Sequence, residues 1–333
     1  MGAAQLRYES GQTAYPFQDM TDSGDRTTFS ASFSPISQAA GAEAVIAPYG
    51  LLTGGAVIPA VSGNDDEVDS AALTASMAGA TGAGTDGVLS VAADTAIAIS
   101  RGVTTDTHRI NSITVTAAGV IAAVAGVDNT EFSENRGADG GPPFIPVGSI
   151  EIAQVRTTSV TAAPITAGEI FSVPGLHREL SGSPTLKIDY VAGTVTFADA
   201  LPAIHTGSVP KKVSIKGGEP SYATLDRVSD WSPAASTYSI TSKDTYDGPI
   251  GSSSASLNQA SFSAILDDGM SDPILSLEGQ TVLFEFRQDR DKLLPKQITQ
   301  GILGVQVSFP AGGGKPTGEF TVSPDAATRS VLV

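Results

Sequence analysis

The chain has no cysteine in 333 residues. That excludes disulfides, thiolate zinc centres and cysteine nucleophiles together. Basic residues are scarce: 19 Lys and Arg stand against 35 Asp and Glu, a formal charge of −16. A surface of that sign repels phosphate and lacks the basic footprint of a nucleic-acid binder. Two readings of the acidity stay open: plain solubility, or a surface past which DNA slides without sticking. Aromatics are 6% of the chain, with one Trp. A carbohydrate-cleaving enzyme needs paired carboxylates across an aromatic-lined cleft, and this composition argues against one. No run approaches the ~18 consecutive apolar residues of a membrane helix. Met1–Arg7 has no apolar signal-peptide core. Long stretches of apolar residues at helical spacing are missing as well.

What is present is punctuation. Gly (36) and Pro (20) recur every few residues, separating short Val-, Ile- and Thr-rich runs, which predicts an all-β chain. The expected strands are 27–33, 88–99, 109–116, 150–158, 185–190, 194–197, 212–216, 237–241, 260–266, 281–287, 302–309 and 319–322. Leu186, Ile188 and Tyr190 alternate with Thr185, Lys187 and Asp189, and Val191-Ala192-Gly193 turns the chain into Thr194–Phe197. That is a hairpin signature, with glycine supplying the positive φ. Residues 276–279 and 288–294 read as a helical turn or a solvated loop.

Composition shifts over residues 61–165, which are rich in Ala, Thr, Val and Gly. We expect an inserted β domain there, on a β core formed by 1–60 and 166–333. Within the insert, Ala71–Asp86 reads as a low-complexity linker. Glu131–Pro146 reads as an elaboration on the outside.

The motifs that carry chemistry fail on context. Gly82-Ala83-Gly84-Thr85-Asp86-Gly87 has dinucleotide-loop spacing but runs into a strand pattern, whereas the pyrophosphate needs a helix N-terminus. Gly312-Gly313-Gly314-Lys315 is followed by Pro316, where a phosphate loop needs Ser or Thr. Ser208-Val209-Pro210-Lys211 matches S-x-x-K, but Pro210 breaks the helical turn that would bring the lysine under the serine. His108, His177 and His205 share no ligand spacing. Asp65, Asp66, Glu67 and Asp69 lack the turning glycine of a calcium loop. No catalytic residue, metal site or cofactor is expected.

The most informative stretch is Lys296–Pro310. Leu303, Val305, Val307 and Phe309 fall on one side, with Gly304, Gln306 and Ser308 on the other, the period-2 pattern of a half-buried strand. It resembles the closing strand of tail tube (major tail) proteins of long-tailed bacteriophages. Two further segments resemble that family. One runs from Phe171-Ser172-Val173-Pro174 through Ile188-Asp189-Tyr190 to Leu201. The other runs from Trp231 to Tyr246 and on to the strands at Phe262 and Phe284-Glu285-Phe286-Arg287. The likeness covers roughly residues 170–333 and extends to the first 60.

The resemblance implies a tail-tube-type β-sandwich or barrel whose protomers form hexameric rings that stack head to tail around a lumen. It implies partners: further copies of the chain, tape measure, tail terminator and distal tail proteins, with DNA as unbound cargo and no membrane. The place of action is then the virion tail, after assembly in the host cytoplasm. Expected inter-subunit contacts are Tyr15, Pro16, Phe17, Ile302, Leu303, Val305, Val307 and Phe309, within the wider segments Tyr8–Met20, 36–60 and 296–309. Tyr15, Pro16 and Phe17, on what reads as a short terminal arm, are either a core plug or a ring-to-ring contact. Removing residues 1–20 is then expected to leave a folded monomer. Glu285 and Gln306 face either lumen or solvent. The alternative reading is a head decoration protein or tail adhesin, which forms small closed oligomers and does not stack.

Overall fold

The computed structural model describes residues 3–173, 178–245, 248–292 and 295–331; for 186, 240–245 and 248–252 it describes the backbone alone. The chain is all-β. Its helical segments among the described residues are 3-10 turns of three to five residues. The strands form several open sheets, and none closes into a barrel.

Contacts divide the chain into two compact units. The first is Met1–Ala14, Ser34–Ala44 and Gly217–Val333; the second is Tyr15–Phe33 and Val45–Lys216. The division falls at 45 and 216, whereas composition shifts at 61 and 165. The small-residue stretch lies wholly inside the second unit.

In the first unit the strand order is Val228–Ser232, Ala260–Ile265, Thr317–Pro324, Lys296–Ser308, Thr281–Arg287, Gln5–Asp19 and Val213–Leu225. The Thr317–Pro324 strand shows why: Gly318, Phe320 and Val322 are buried while Glu319, Thr321 and Ser323 are exposed, the alternation of a sheet with one dry face. Gly318 is needed there, because a Cβ would meet the Phe320 ring at 2.5 Å. The core is aromatic, with Phe262, Phe284 and Phe320 packed beside Leu6, Tyr8 and Leu303. Trp231 covers one side of it, its ring 5.9 Å from that of Phe286.

Gln5–Asp19 is not a terminal arm. Residues Gln5 to Tyr8 pair in register with Arg287 to Phe284, and Leu6, Tyr8 and Glu9 are buried. The polar look of this strand hid it, because its buried residues are confined to the first few positions. The strand passes from the first unit to the second between Ala14 and Tyr15. The expectation that residues 1–20 are dispensable for folding is therefore corrected.

The second unit is built from four small sheets; three of them share a largely aliphatic core, and the fourth buries Phe29 against Phe197. Val68, Met77, Ile113, Val115, Ile150 and Ile152 are fully buried. Ala71–Asp86, expected as a linker, instead contributes the strand Leu73–Ser76 between Gly50–Gly54 and Val88–Val91, with Leu73, Ala75 and Met77 in the core. The expected strand 88–99 is two strands: Val88–Val91 pairs with Leu73–Ser76, and Asp94–Ala98 pairs with Glu67–Ser70 in another sheet. Gly140, Gly141, Pro142 and Pro143 are buried, so 131–146 is not wholly an outside elaboration. Of the two expected helical turns, Pro273–Leu277 is a 3-10 turn; no helix forms over 288–292, and 293–294 lie outside the described residues.

Candidate functional site

The closing strand Lys296–Ser308 pairs with Thr281–Arg287 on one edge and Thr317–Pro324 on the other. Its inward face is the expected one, but burial decays along it. Leu303 is 1% exposed and sits in the core. Val305 and Val307 are half-buried against the same core. Phe309, past the strand end, is 64% exposed, and Ile302 on the opposite face is 52% exposed. Those two remain available at a surface.

Tyr15, Pro16 and Phe17 lie in the second unit. Tyr15 stacks flat on Phe33 at 4.6 Å, and Pro16 is exposed. Phe17 packs where Gly87 leaves room: Gly87 has φ 77°, and a Cβ there would lie 3.0 Å from the Phe17 ring. The Lys216 ammonium stands 6.0 Å from the centre of the same ring. Tyr15 and Phe17 are therefore partly committed within their own unit.

The strand expected at 237–241 is half of a hairpin arm whose second strand and pairing sequence reasoning missed. Ser236–Thr245 and Gly248–Leu257 pair with each other residue for residue, Ser236 against Leu257 through Thr245 against Gly248, and with no other strand among those described. The arm grows out of the pair Val228–Ser232 and Ala260–Ile265, through a bond from Asn258 N–H to the Ala235 carbonyl of 2.9 Å. At about 3.4 Å per residue, its ten-residue strands reach about 34 Å. Its described side chains are exposed, Tyr238 at 75%. Hydroxyl pairs line one face: Thr237 Oγ1 with Ser256 Oγ at 2.7 Å and Ser239 Oγ with Ser254 Oγ at 2.6 Å. The signal for the second strand was weak because Gly251-Ser252-Ser253-Ser254-Ala255-Ser256 carries no apolar alternation.

Glu285 faces neither lumen nor solvent. Its side chain is 1% exposed and ion-paired to Arg7, to Arg287 at 2.8 Å and to Lys296 at 3.2 Å. Burial pulls its carboxyl upward, but the donors from Arg7 and Arg287 outweigh this and hold it below its ordinary range. Gln306 is exposed.

The remaining motif residues have structural roles. The Asp69 carboxylate accepts backbone N–H bonds from Val61 at 2.8 Å and Ala96 at 3.0 Å, and Asp66 pairs with Arg101. Lys315 bonds Asp267 at 2.6 Å. The glycines of 82–87 form the loop between two strands. His205 is buried with Nε2 2.9 Å from the Ser149 carbonyl, His108 packs on Phe132, and His177 lies outside the described residues. Among those residues no cluster of three His, Asp or Glu is arranged to hold a metal. No helix there is long and apolar enough to cross a membrane.

Lys211, from the S-x-x-K match, is the exception. It is buried against Glu179, whose backbone is pinned from both sides: its N–H donates to the Glu151 carbonyl and its carbonyl accepts from Leu51 N–H, both at 3.0 Å. Burial pushes the Glu179 carboxyl up to about 8 and pushes the Lys211 ammonium down.

Comparison with protein-family models and with curated proteins gives no match.

Proposed function

We propose that the chain is the tail tube subunit of a long-tailed bacteriophage, a structural protein that polymerises as stacked rings around a DNA-conducting lumen. The observation that carries this reading is the hairpin arm over 236–257. A two-stranded ribbon is at best marginally stable alone in water. Its open edges pair readily with another chain, and strand addition supplies main-chain bonds without needing a specific side-chain pocket. Contact between an arm and a different surface of the next copy is heterologous. Such contacts close into rings or continue as stacks.

Two further facts support the reading. The charge of −16 suits a conduit that DNA passes without binding. Exposed Ile302 and Phe309 add apolar area near the closing strand, on which the family likeness rests. On this reading the subunit binds copies of itself, with tape measure, terminator and distal tail proteins at the tube's ends.

Electron microscopy of the concentrated protein, with mass determination in parallel, tests it. Hollow tubes or six-fold rings with a pore passing duplex DNA are expected. Compact trimers would overturn the reading in favour of a head decoration protein or tail adhesin.

A further inference from the structure

We propose that Lys211 and Glu179 condense in the folded protein to an intramolecular isopeptide bond, Nζ to Cδ, making this pair a self-modification site. The inference is independent of the assembly reading.

The geometry is poor for an ion pair and good for an amide. Lys211 Nζ lies 3.9 Å from Glu179 Oε1, with the side chains 2% and 4% exposed. A buried ion pair offsets its desolvation only with close contact and further hydrogen bonds. Here both Glu179 oxygens are buried without a hydrogen bond among the described residues. The Lys211 ammonium donates instead to the Leu180 carbonyl. Each group is better hosted uncharged, and the directions in which burial moves both agree. An uncharged amine is a nucleophile, and a protonated carboxyl can lose its hydroxyl as water.

Both partners are held in place. Glu179 is fixed by Glu151 and Leu51, and Lys211 N–H donates to the Pro202 carbonyl at 3.0 Å. Glu151 is itself tied to Arg136 and Ser112. Such fixing gives intramolecular reactions their high effective molarity, once the atoms close to about 3–3.5 Å. Reaching that distance requires the lysine ammonium to leave the Leu180 carbonyl and turn toward Cδ. In the step, the Nζ lone pair attacks Cδ and the C–N bond forms. The Cδ–OH bond then breaks, and hydroxide leaves with a proton from Nζ as water. Nothing is oxidised or reduced, and no co-reactant is needed.

Intact-mass spectrometry of the purified full chain tests this, followed by fragmentation of a protease digest. The expected mass is lower than the sequence mass by one water, with a branched peptide joining Lys211 to Glu179. Lys211→Arg is expected to run at its full mass. A full-mass wild-type protein overturns the proposal, and needs no variant to fold. So does a deficit that persists in Lys211→Arg or maps to a cyclised Asp-Gly pair such as Asp86-Gly87.

Discussion

Phe262 lies flat against Phe320 on the neighbouring strand, ring centroids 4.7 Å apart and planes within 8°, at positions paired in register. The stack is the middle of the first unit's core, with Phe284 against its side at 5.5 Å. Phe320→Ala is expected to cost about 3–5 kcal/mol, the range for emptying a buried phenylalanine site. The check is the urea midpoint at constant slope. A midpoint within error of wild type would mean that the stack is not the core.

Acid should weaken the first unit through Glu285. Its pKa is lowered in the fold from the ordinary 4.5. A depressed folded value contributes stability that is present above the unfolded pKa and lost as pH falls through the folded one. Urea midpoints are therefore expected to drop as pH goes below about 4.5, and Glu285→Gln to flatten that part of the profile. Parallel profiles for the two proteins would refute the assignment.

Asp69→Ala should destabilise the second unit by about 1–3 kcal/mol, because two backbone N–H groups lose their acceptor. Asp69→Asn keeps one acceptor oxygen and is expected to lose less. Equal losses would show that the carboxylate does not bridge Val61 and Ala96.

Replacing 236–257 with a short turn is expected to leave the melting temperature of the isolated subunit nearly unchanged, since the described side chains of the arm are exposed. Assembly should be lost. Circular dichroism and electron microscopy read the two effects separately, and normal tubes from the shortened protein would remove the arm from the assembly mechanism.

Deleting residues 1–20 should abolish folding of the first unit. The cut removes buried Leu6, Tyr8 and Glu9 and exposes the edge of Thr281–Arg287. A cooperative unfolding transition in the truncated protein, monitored by Trp231, would contradict this.

Strands with one dry face were legible. Thr281–Arg287 and Thr194–Phe197 have the bounds expected from alternation and turn residues. So were Arg109–Val115 and Ile150–Thr157, buried on both faces but rich in Ile and Val; others were not. Leu73–Ser76 and Ile121–Ala125 are short and carry few large residues, and alanine serves either as core or as loop. Gln5–Asp19 changes from buried to exposed along its length, so no single period describes it. Of the expected contact residues, Leu303 lies in the core, because the face that carries a strand pattern is also the face that the core consumes. The Lys211–Glu179 pair joins separate segments, and no local spacing announces it.

The placement of Trp231 has a spectroscopic consequence. It is the one Trp in the chain, it belongs to the first unit, and its indole N–H reaches Gln297 at 3.4 Å. Emission excited at the indole band therefore reports on the first unit's aromatic core alone, while the second unit, which has no Trp, contributes none of it. Comparing emission with far-ultraviolet dichroism during denaturation separates the two units without any label. Transitions that coincide would mark one cooperative block, and transitions that part would mark two.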